Sequence, residues 1–313
     1  MSKKQDYINF CNTRKDLPLF VQPKWLDAVC DNWDVAIYKQ DNKIVAFLPY
    51  TYYKKTSLTV SHNPPLTPYL GIWIDHPKGI KEATKLGNEK EIFQNLLQQL
   101  PKFDNFNYNF NPEFTNWYPL YLDNFEQTTR YTYCINQPFS IDAIFNGFKS
   151  KLKAHINKAV TELTIDTSSN INDLVQIKKI AHSENSNIPV FKTELYKSVF
   201  KLCKKENLGT QLIAKNKDDK IIASVLLVWD SQFCYLLHGA SLPEHKSSNA
   251  MSLLIWEAIQ LAHKKQLSFN FEGSMLESVE QFFRFFNATQ TPYFNIRKTN
   301  SKIGKFKNFI KSL

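Results

Sequence analysis

The pattern of hydrophobic residues in the second half of the chain predicts an alternation of helices and strands. Helices are predicted where apolar residues recur at helical spacing, as at Leu174, Ile177 and Ala181. By this criterion the helices are Asn172–Glu184, Thr193–Lys204, Ala250–Ala262 and Glu277–Phe286. Alternating or short continuous apolar runs predict the strands Leu163–Thr167, Gln211–Ala214, Ile221–Val228, Phe233–Ala240, Leu267–Phe271 and Tyr293–Arg297. Helices and strands mixed in this order indicate an α/β fold.

The first half of the chain repeats this order in a weaker form. Its predicted helices are Lys24–Asn32 and Glu89–Leu100, and its predicted strands are Val35–Tyr38, Ile44–Tyr50, Asn105–Phe110 and Tyr131–Ile135. Polar hairpin turns join neighbouring strands in both halves, at residues 39–43 and 216–220. The parallel order predicts two domains, residues 1–138 and 139–313, although the two halves share no detectable sequence repeat.

Length and composition agree with a globular protein of two domains. The chain has 313 residues, of which 43% are hydrophobic and 14% aromatic, so a large core is expected and disorder is not. The net charge of +10 favours an anionic partner such as a nucleotide, RNA, an acidic lipid headgroup or coenzyme A. A charge that only keeps the protein in solution is the alternative.

Several further patterns restrict the class of protein. The five cysteines are scattered and form no C-x-x-C pair, which argues for a reducing compartment and against a disulfide framework or a zinc site. The sequence shows no apolar leader and no apolar run long enough to cross a membrane, so a cytoplasmic protein is expected. The histidines lack metal-ligand spacing, and neither a G-x-S-x-G motif nor a P-loop occurs, so hydrolase and NTPase functions have little support.

Two motifs in the last fifty residues carry a family resemblance. Residues 269–274 read Phe-Asn-Phe-Glu-Gly-Ser, and residues 280–286 read Glu-Gln-Phe-Phe-Arg-Phe-Phe. Together with segments 63–71, 116–120 and 128–133, they resemble the FemAB-like branch of the GNAT acyltransferases, which includes peptidoglycan-bridge aminoacyltransferases. The resemblance implies two tandem GNAT-like domains, each a mixed sheet flanked by helices, with the first domain degenerate.

The same resemblance implies an enzyme that moves an activated acyl or aminoacyl group to an amine of a cell-envelope precursor or a small metabolite. No cofactor would be bound permanently, and acyl-CoA or aminoacyl-tRNA would be the co-substrate. In GNAT proteins the donor's pyrophosphate lies at the turn before the third helix of the domain, and here the candidate residues are Lys246, Ser247, Ser248 and Asn249. This turn lacks the glycine-rich sequence of the superfamily. A non-catalytic protein that binds an anionic ligand or a partner, and a lipid N-acyltransferase, are therefore the alternatives.

Glu272 is the candidate general base. It directly follows the predicted strand Leu267–Phe271, where aromatic neighbours can raise the pKa of a carboxyl group. The alternative is a cap for a helix that begins near Met275, a role for which Ser274 competes. The resemblance also implies a catalytic lysine near the chain end, on the donor side of the site, and Lys298 can take that place.

Other residues are candidates for substrate binding. Arg284, among four phenylalanines, is predicted to hold a carboxylate or phosphate, with stacking at the surface as the alternative. His238 lies in an apolar strand where alternation places it on the face of Leu236, and a core histidine is the alternative. Tyr293 is a further candidate because it lies at the start of the last predicted strand. The remaining candidates, for which packing between domains is the alternative, are Asn111, Trp117, Arg130 and Tyr131.

The end of the chain carries a separate prediction. From Arg297 on there are six basic residues and no acidic one, and one helical face would carry Ile303, Phe306, Ile310 and Leu313. A basic amphipathic helix of this kind predicts peripheral contact with an anionic membrane, or with RNA such as a tRNA. The alternative is that the tail docks on the protein itself.

Overall fold

The structure, a computed structural model, describes residues 2–55, 58–186, 190–273 and 275–301, and these form two compact units. The first unit comprises the described residues up to Arg130 and those from Pro292 on, and the second runs from Tyr131 to Thr291. The predicted boundary between residues 138 and 139 separates two GNAT-like domains of related fold, whereas the two units are defined by compactness. The compact units do not test that boundary, so it stays a prediction.

The first unit combines helices with two sets of strands. Its helices are α1 (Lys3–Thr13), α2 (Pro23–Val29), α3 (Glu82–Gln98) and α4 (Tyr118–Leu122). Its strands are β1 (Trp33–Gln40), β2 (Lys43–Thr51), β3 (Tyr53–Lys55), β4 (Leu58–His62), β5 (Trp73–Ile74), β6 (Asn105–Asn109) and, from the end of the chain, β13 (Thr289–Thr299). Strands β1, β2 and β5 form an antiparallel sheet. In the second set, β3 pairs antiparallel with β4, β4 parallel with β6, and β6 antiparallel with β13.

The core of the first unit is rich in aromatic side chains. Tyr7 of α1 is fully buried and packs edge to face on Phe47 of β2, with the ring centroids 4.8 Å apart. Trp25 of α2 is also fully buried, and its indole N–H donates a hydrogen bond to Thr67 Oγ1 at 3.0 Å. Aromatic side chains bury a large apolar area, and a partner for the polar end allows Trp to lie inside. These contacts anchor both helices in the core.

The second unit is a mixed sheet flanked by helices. The helices are α5 (Ile141–Gly147), α6 (Ser150–Glu162), α7 (Asn172–Glu184), α8 (Thr193–Glu206), α9 (Ala250–Lys264) and α10 (Glu277–Arg284). The strands are β7 (Glu126–Ile135), β8 (Thr164–Ser168), β9 (Gly209–Lys215), β10 (Ile221–Trp229), β11 (Phe233–Ser241) and β12 (Ser268–Asn270). They lie in the order β7–β12–β11–β10–β9–β8, and each neighbouring pair is antiparallel except β11 with β12, which is parallel.

The two faces of this sheet pack against different helices. On β10, Ala223, Val225 and Leu227 are fully buried in a cluster with residues of α6 and α9. The alternating residues Ser224 and Leu226 are fully buried as well, and α7 packs on β10 and β11. Successive side chains of a strand point to opposite faces, so β10 is covered on both sides. This explains why its sequence is a continuous apolar run.

Both units contain the same connection from a strand through a helix to a parallel neighbour. In the first unit β4 leads through β5 and α3 to β6, and in the second unit β11 leads through α9 to β12. Each of these neighbours then pairs antiparallel with one more strand, β13 in the first unit and β7 in the second. The predicted architecture of two tandem α/β domains is therefore confirmed. The first unit is the degenerate one, because its antiparallel strands are divided between two sets.

The predicted elements of the second half agree with the structure to within two residues, apart from β13, which begins earlier. In the first half the agreement is weaker. Helix α1 was not predicted because Tyr7 is its buried residue, which leaves no apolar period to detect. Helix α3 begins at Glu82 rather than Glu89, since its first turns are polar and mostly exposed. The short elements β3, β4, β5 and α4 were missed as well.

Among the helices that the structure describes, none combines the length and the apolar character that crossing a membrane requires. In the same residues, no group of three or more His, Cys, Asp and Glu side chains is arranged to hold a metal ion. Ser274 and the residues of the amphipathic tail, Ile303, Phe306, Ile310 and Leu313, lie outside the described residues, so the predictions about them stay predictions.

Candidate active site

The parallel strands β11 and β12 run side by side over a short distance and then part. The register begins with Phe233 opposite Ser268 and ends with Tyr235 opposite Asn270. Strand β12 ends there, whereas β11 continues to Ser241. In open α/β sheets, ligands bind in the crevice at the carboxyl ends of parallel strands. The edge beyond Tyr235 and Asn270 is therefore where this sheet can form a site.

A β-bulge in β11 lies at this edge. Leu226 of β10 pairs with His238, whereas Leu227 pairs with Leu236, so Leu237 is the extra residue of the bulge. Leu226 and Leu227 point to opposite faces of the sheet, and each shares its face with its partner on β11. His238 and Leu236 therefore lie on opposite faces. The prediction that placed both on one face was wrong. A bulge leaves its extra residue outside the regular ladder. A backbone N–H in such a position is a candidate hydrogen-bond donor to an oxyanion.

The turn that follows β12 holds Glu272 in an unusual backbone conformation. Asn270 is 2% exposed, and its Oδ1 accepts hydrogen bonds from Thr132 Oγ1 and from the N–H of Glu272, each at 2.8 Å. The φ angles of Glu272 and Gly273 are 62° and 67°. Such a left-handed conformation is uncommon for a residue with a side chain and costs free energy. The hydrogen bonds of Asn270 offset this cost and fix the position of Glu272.

The carboxyl group of Glu272 is enclosed, although the residue as a whole is only half-buried. Its Oε1 is buried, and within the described chain it has no hydrogen-bond partner. Burial raises the pKa of this carboxyl well above its usual value, since it disfavours the charged form and no cation among the described residues stabilises that form. A cation placed beside the carboxyl would favour its ionised form.

Capping of a helix does not explain Glu272. Helix α10 begins at Glu277 rather than near Met275, and the residue at its N-cap is Leu276. No side chain at that cap makes a hydrogen bond to the first turn. The alternative function considered for Glu272 is thus wrong, and its role as a general base stays a prediction.

Arg284 forms an ion pair rather than standing free. Its Nε lies 2.9 Å from Glu280 Oε1, one helical turn earlier in α10, and its side chain is 56% exposed. The same Glu280 oxygen accepts a hydrogen bond from the Tyr133 hydroxyl, which in turn accepts one from Gln290 Nε2 at 2.9 Å. The phenylalanines around Arg284 pack on the core of the second unit. Binding of a substrate anion by Arg284 stays a prediction.

The candidate donor-binding residues lie in a turn that is closed by internal hydrogen bonds. Residues 243–248 are a 3₁₀ helix, and Asn249 follows in a left-handed conformation as the N-cap of α9. Ser248 Oγ donates to His245 O at 2.6 Å and accepts from the N–H of Ala250 at 3.3 Å. Lys246 and Ser247 are exposed. The turn therefore presents a cation, and the N–H of Ala250, at the start of α9, is already bound within the turn.

The predicted site residues fall into both units. In the second unit the structure brings Tyr131 next to the Glu272 turn, because a Cβ at Gly273 would lie 2.3 Å from Tyr131 O. Lys298 lies in the first unit, where its ammonium binds Asp123 Oδ2 at 2.8 Å. The first unit also contains Tyr293, Asn111, Trp117 and Arg130.

Their surroundings in the first unit differ. Tyr293 is buried and packs edge to face on Tyr69 at 5.1 Å. Trp117 packs on Tyr121, with ring centroids 5.5 Å apart, and Arg130 is half-buried near the end of that unit. The substrate-binding roles of these residues, and the catalytic role of Lys298, stay predictions.

Asn111 lines a cavity of about 230 Å³ in the first unit. Glu89 also lines this cavity and is 6% exposed. Its Oε1 lies 3.0 Å from His76 Nε2, and its Oε2 accepts a hydrogen bond from Asn116 Nδ2 at 2.6 Å. Both carboxylate oxygens are thus partnered, in contrast to Glu272. The carboxylate in the wall of this cavity is therefore already bound on both oxygens.

Sequence analysis missed Lys178 of α7, which is 2% exposed and lies in the second unit. It follows Leu174 by one helical turn, and the buried face of α7 also carries Ile177 and Ala181. A lysine within an apolar stripe was the available signal, because charged residues are almost never fully buried without a partner.

Comparison with known proteins identifies the fold. Residues 148–274 match a family model described as an acetyltransferase (GNAT) domain. No curated protein matches the chain. Among solved structures, FemX is similar with a TM-score of 0.66 at 10% sequence identity, and the likeness covers 94% of this chain and 96% of FemX.

Two further structures extend this likeness. L-PGS from Bacillus licheniformis has a TM-score of 0.58 at 13% identity, covering 99% of this chain and 96% of its own. A tandem GNAT protein from the clavulanic acid biosynthesis pathway has a TM-score of 0.50 at 6% identity, covering 85% of this chain and 83% of its own. At these identities the likeness shows the fold alone, and it reaches beyond the segment matched by the family model.

Proposed function

We propose that this chain, a GNAT acyltransferase of the FemAB-like branch, transfers an aminoacyl group from an ester donor to the amine of an acceptor. The observation that carries the proposal is the enclosed carboxyl of Glu272, which has an oxygen without a partner in the described chain. A buried polar group without a partner costs free energy, and groups with such perturbed pKa values cluster at functional sites. The acceptor amine would supply the missing partner.

The reaction is an attack of the amine nitrogen on the carbonyl carbon of the ester. Glu272, as carboxylate, takes a proton from the acceptor's ammonium, so the nitrogen regains its lone pair. The nitrogen forms a C–N bond with the carbonyl carbon and gives up a second proton. That proton passes to the ester oxygen of the donor as the C–O bond to this oxygen breaks. An amide and a free hydroxyl result. The oxyanion that forms on the way needs hydrogen-bond donors, for which the bulge at Leu237 is the candidate.

The raised pKa of Glu272 is compatible with this order of events. In the free protein burial disfavours the charged form of the carboxyl and raises its pKa. An ammonium placed alongside favours the ionised form, so a bound acceptor would lower this pKa again and make the carboxylate available as a base. The base is then formed in the complex that needs it.

The donor turn favours an aminoacyl ester over acyl-CoA. A pyrophosphate binds to unpaired N–H groups at a helix N-terminus, usually in a glycine-rich loop. Here Ser248 occupies the N–H of Ala250, and residues 243–248 are closed into a 3₁₀ helix without glycine. A net charge of +10 suits a polyanion such as a tRNA. The FemAB-like resemblance points to an aminoacyl-tRNA donor and to an acceptor amine on a cell-envelope precursor, with a small metabolite as the alternative acceptor.

A binding experiment with two donors tests this choice. We expect aminoacyl-tRNA to bind wild-type protein with an affinity that falls steeply as salt is raised, because binding releases counterions. We expect acetyl-CoA to leave the melting temperature unchanged. A ligand at a hundredfold excess over its Kd stabilises a protein by about 2.7 kcal/mol, which a thermal scan readily detects.

Lys246→Ala is the matched variant for the donor turn. If acetyl-CoA stabilises the wild type and this variant abolishes the effect, the turn binds a pyrophosphate and the aminoacyl-ester proposal fails. Lys217→Ala serves as the control, because it removes the same charge from an exposed position in a different turn.

A further inference from the structure

Lys178 carries a buried ammonium that has no counter-ion among the described residues. Burial alone lowers its pKa to about 8, with no carboxylate and no hydrogen-bond acceptor contributing from the described residues. Placing a charge inside a protein without a partner is costly, and the neighbouring positions of the same helical face are apolar. An apolar residue in place of Lys178 would therefore give a more stable fold, which indicates that the ammonium serves a ligand.

His238 lies near Lys178 on the neighbouring strand β11. The Tyr196 hydroxyl and His238 Nδ1 are 2.9 Å apart, and the ring of Phe191 stacks on the imidazole with centroids 5.5 Å apart. Burial, and secondarily the charge of Lys178, lower the pKa of His238 well below its usual value, so the imidazole is neutral. When Tyr196 donates to Nδ1, the proton of the imidazole is on Nε2. That N–H has no partner in the part of the chain that the structure describes.

This pair of residues is at the same edge of the sheet as Glu272. His238 follows Tyr235 by three residues on β11, and Glu272 follows Asn270 by two residues on β12, while Tyr235 and Asn270 are opposite each other. The two strands are parallel neighbours, so both residues follow the last paired position in the same direction along the sheet. This order places His238, with Lys178 beside it, and Glu272 on neighbouring strands towards the same edge.

We propose that Lys178 and His238 bind an anionic oxygen group, a carboxylate or a phosphate, of the acceptor molecule. This deepens and rests on the proposed function, since it identifies the acceptor as an amine that carries an acidic group. The amine end would lie at Glu272 and the anionic end at Lys178. An ammonium and an uncharged N–H donor together suit such a group, because charge-assisted hydrogen bonds to an oxyanion are the strong ones.

Direct anion binding tests the subsite without any acyl donor. Acetate and inorganic phosphate are added separately to wild-type protein, to Lys178→Met and to Lys179→Met, each against chloride at matched ionic strength. Lys179 is the exposed neighbour on α7, so its variant loses the same charge from the solvent side. The readouts are the melting temperature and the ¹⁵N signals of the His238 imidazole, which a merely structural lysine would not link to an added anion.

In the wild type and in Lys179→Met, we expect at least one anion to shift the ¹⁵N signals of His238 and to raise the melting temperature. In Lys178→Met we expect neither anion to have either effect. A response to acetate alone identifies a carboxylate, a response to phosphate alone identifies a phosphate, and both support the subsite. Lys178→Met itself is expected to melt at a higher temperature, because it removes an unpaired buried charge, so unfolding does not confound the result.

Equal responses in wild type and Lys178→Met, or no response of His238 to either anion, would overturn the proposal. The outcome is independent of the donor. If anions bind at Lys178 but aminoacyl-tRNA does not bind, the subsite stands and the proposed donor is wrong. If the tRNA binds but no anion acts through Lys178, the acceptor assignment fails while the proposed transfer remains.

Discussion

Glu272→Gln is expected to lower the rate of acyl transfer by about 10²–10⁴-fold, the usual contribution of a general base. Glutamine keeps the shape of the side chain but cannot take a proton from the acceptor ammonium. Donor binding should change little, because the amide remains in place of the carboxyl. The measurement is single-turnover transfer at saturating donor. Wild-type turnover in this variant would remove Glu272 from the mechanism as a base.

The same substitution is expected to change how stability depends on pH. The pKa of the Glu272 carboxyl is raised in the folded protein, whereas in the unfolded chain it is near 4.5. Below the unfolded pKa both states are protonated; as pH rises above it, the unfolded chain loses the proton first. The contribution of Glu272 to the free energy of unfolding therefore falls with rising pH, by about 1.4 kcal/mol per pH unit, up to the folded pKa.

Glu272→Gln lacks this slope, so its stability relative to the wild type should increase as pH rises above about 4.5. The test depends on how the difference in unfolding free energy between variant and wild type changes with pH, and not on its absolute value. The buried amide of glutamine has a free-energy cost of its own, which does not vary with pH. Urea denaturation at a series of pH values measures the difference. Glu277→Gln, an exposed carboxyl in the first turn of α10, is the control and should show no such divergence. Parallel curves for wild type and Glu272→Gln would show that the carboxyl is solvated.

Gly273→Ala is expected to destabilise the protein by about 2–5 kcal/mol, combining left-handed strain with overpacking. A Cβ at this position would lie 2.3 Å from Tyr131 O and 2.7 Å from Thr132 Cα, both backbone atoms that cannot rotate away. The residue also has a φ of 67°. Because the loss is a large share of the usual 5–15 kcal/mol, urea denaturation and melting should both reveal it.

Gly79→Ala separates the two contributions to this loss. Gly79 has a φ of 74°, close to that of Gly273, but a Cβ there would meet nothing within 4 Å. Its replacement should therefore cost only the strain of the left-handed backbone, about 1–2 kcal/mol. A loss at Gly273 no larger than at Gly79 would contradict the close approach to Tyr131. Below the melting transition, Gly273→Ala should also reduce transfer, because the clash displaces the neighbouring Glu272.

The sequence was most informative where local pattern and structure coincide. The helix Asn172–Glu184 was predicted at its observed ends, because apolar residues at helical spacing reflect one buried face. Helix α1 was invisible to the same reasoning, since one buried tyrosine among polar residues gives no period. The face of His238 was mispredicted, because a bulge at Leu237 depends on the neighbouring strand and has no local signature.

For the site, the sequence placed Glu272 directly after a strand. It also identified two neighbouring motifs, one with Glu272 and Gly273 and one with Arg284. It could not show that Glu272 has a buried oxygen without a partner in the described chain. Nor could it show that Arg284 is bound to Glu280, which also binds Tyr133. Partners of this kind come from residues far apart along the chain, which meet only when the strands pack.

By itself, then, the sequence determined the order of helices and strands in the second half and the tandem α/β fold, because side-chain period over a few residues reports which face of an element is buried. The tertiary structure decided which charges lack partners. Thr132 of β7 donates a hydrogen bond to Asn270 of β12, which holds the Glu272 turn in place. Lys178 of α7 is buried, and no carboxylate among the described residues lies close enough to affect its pKa. Burial and electrostatics depend on all elements packed around a group, and they set the chemistry of Glu272 and Lys178.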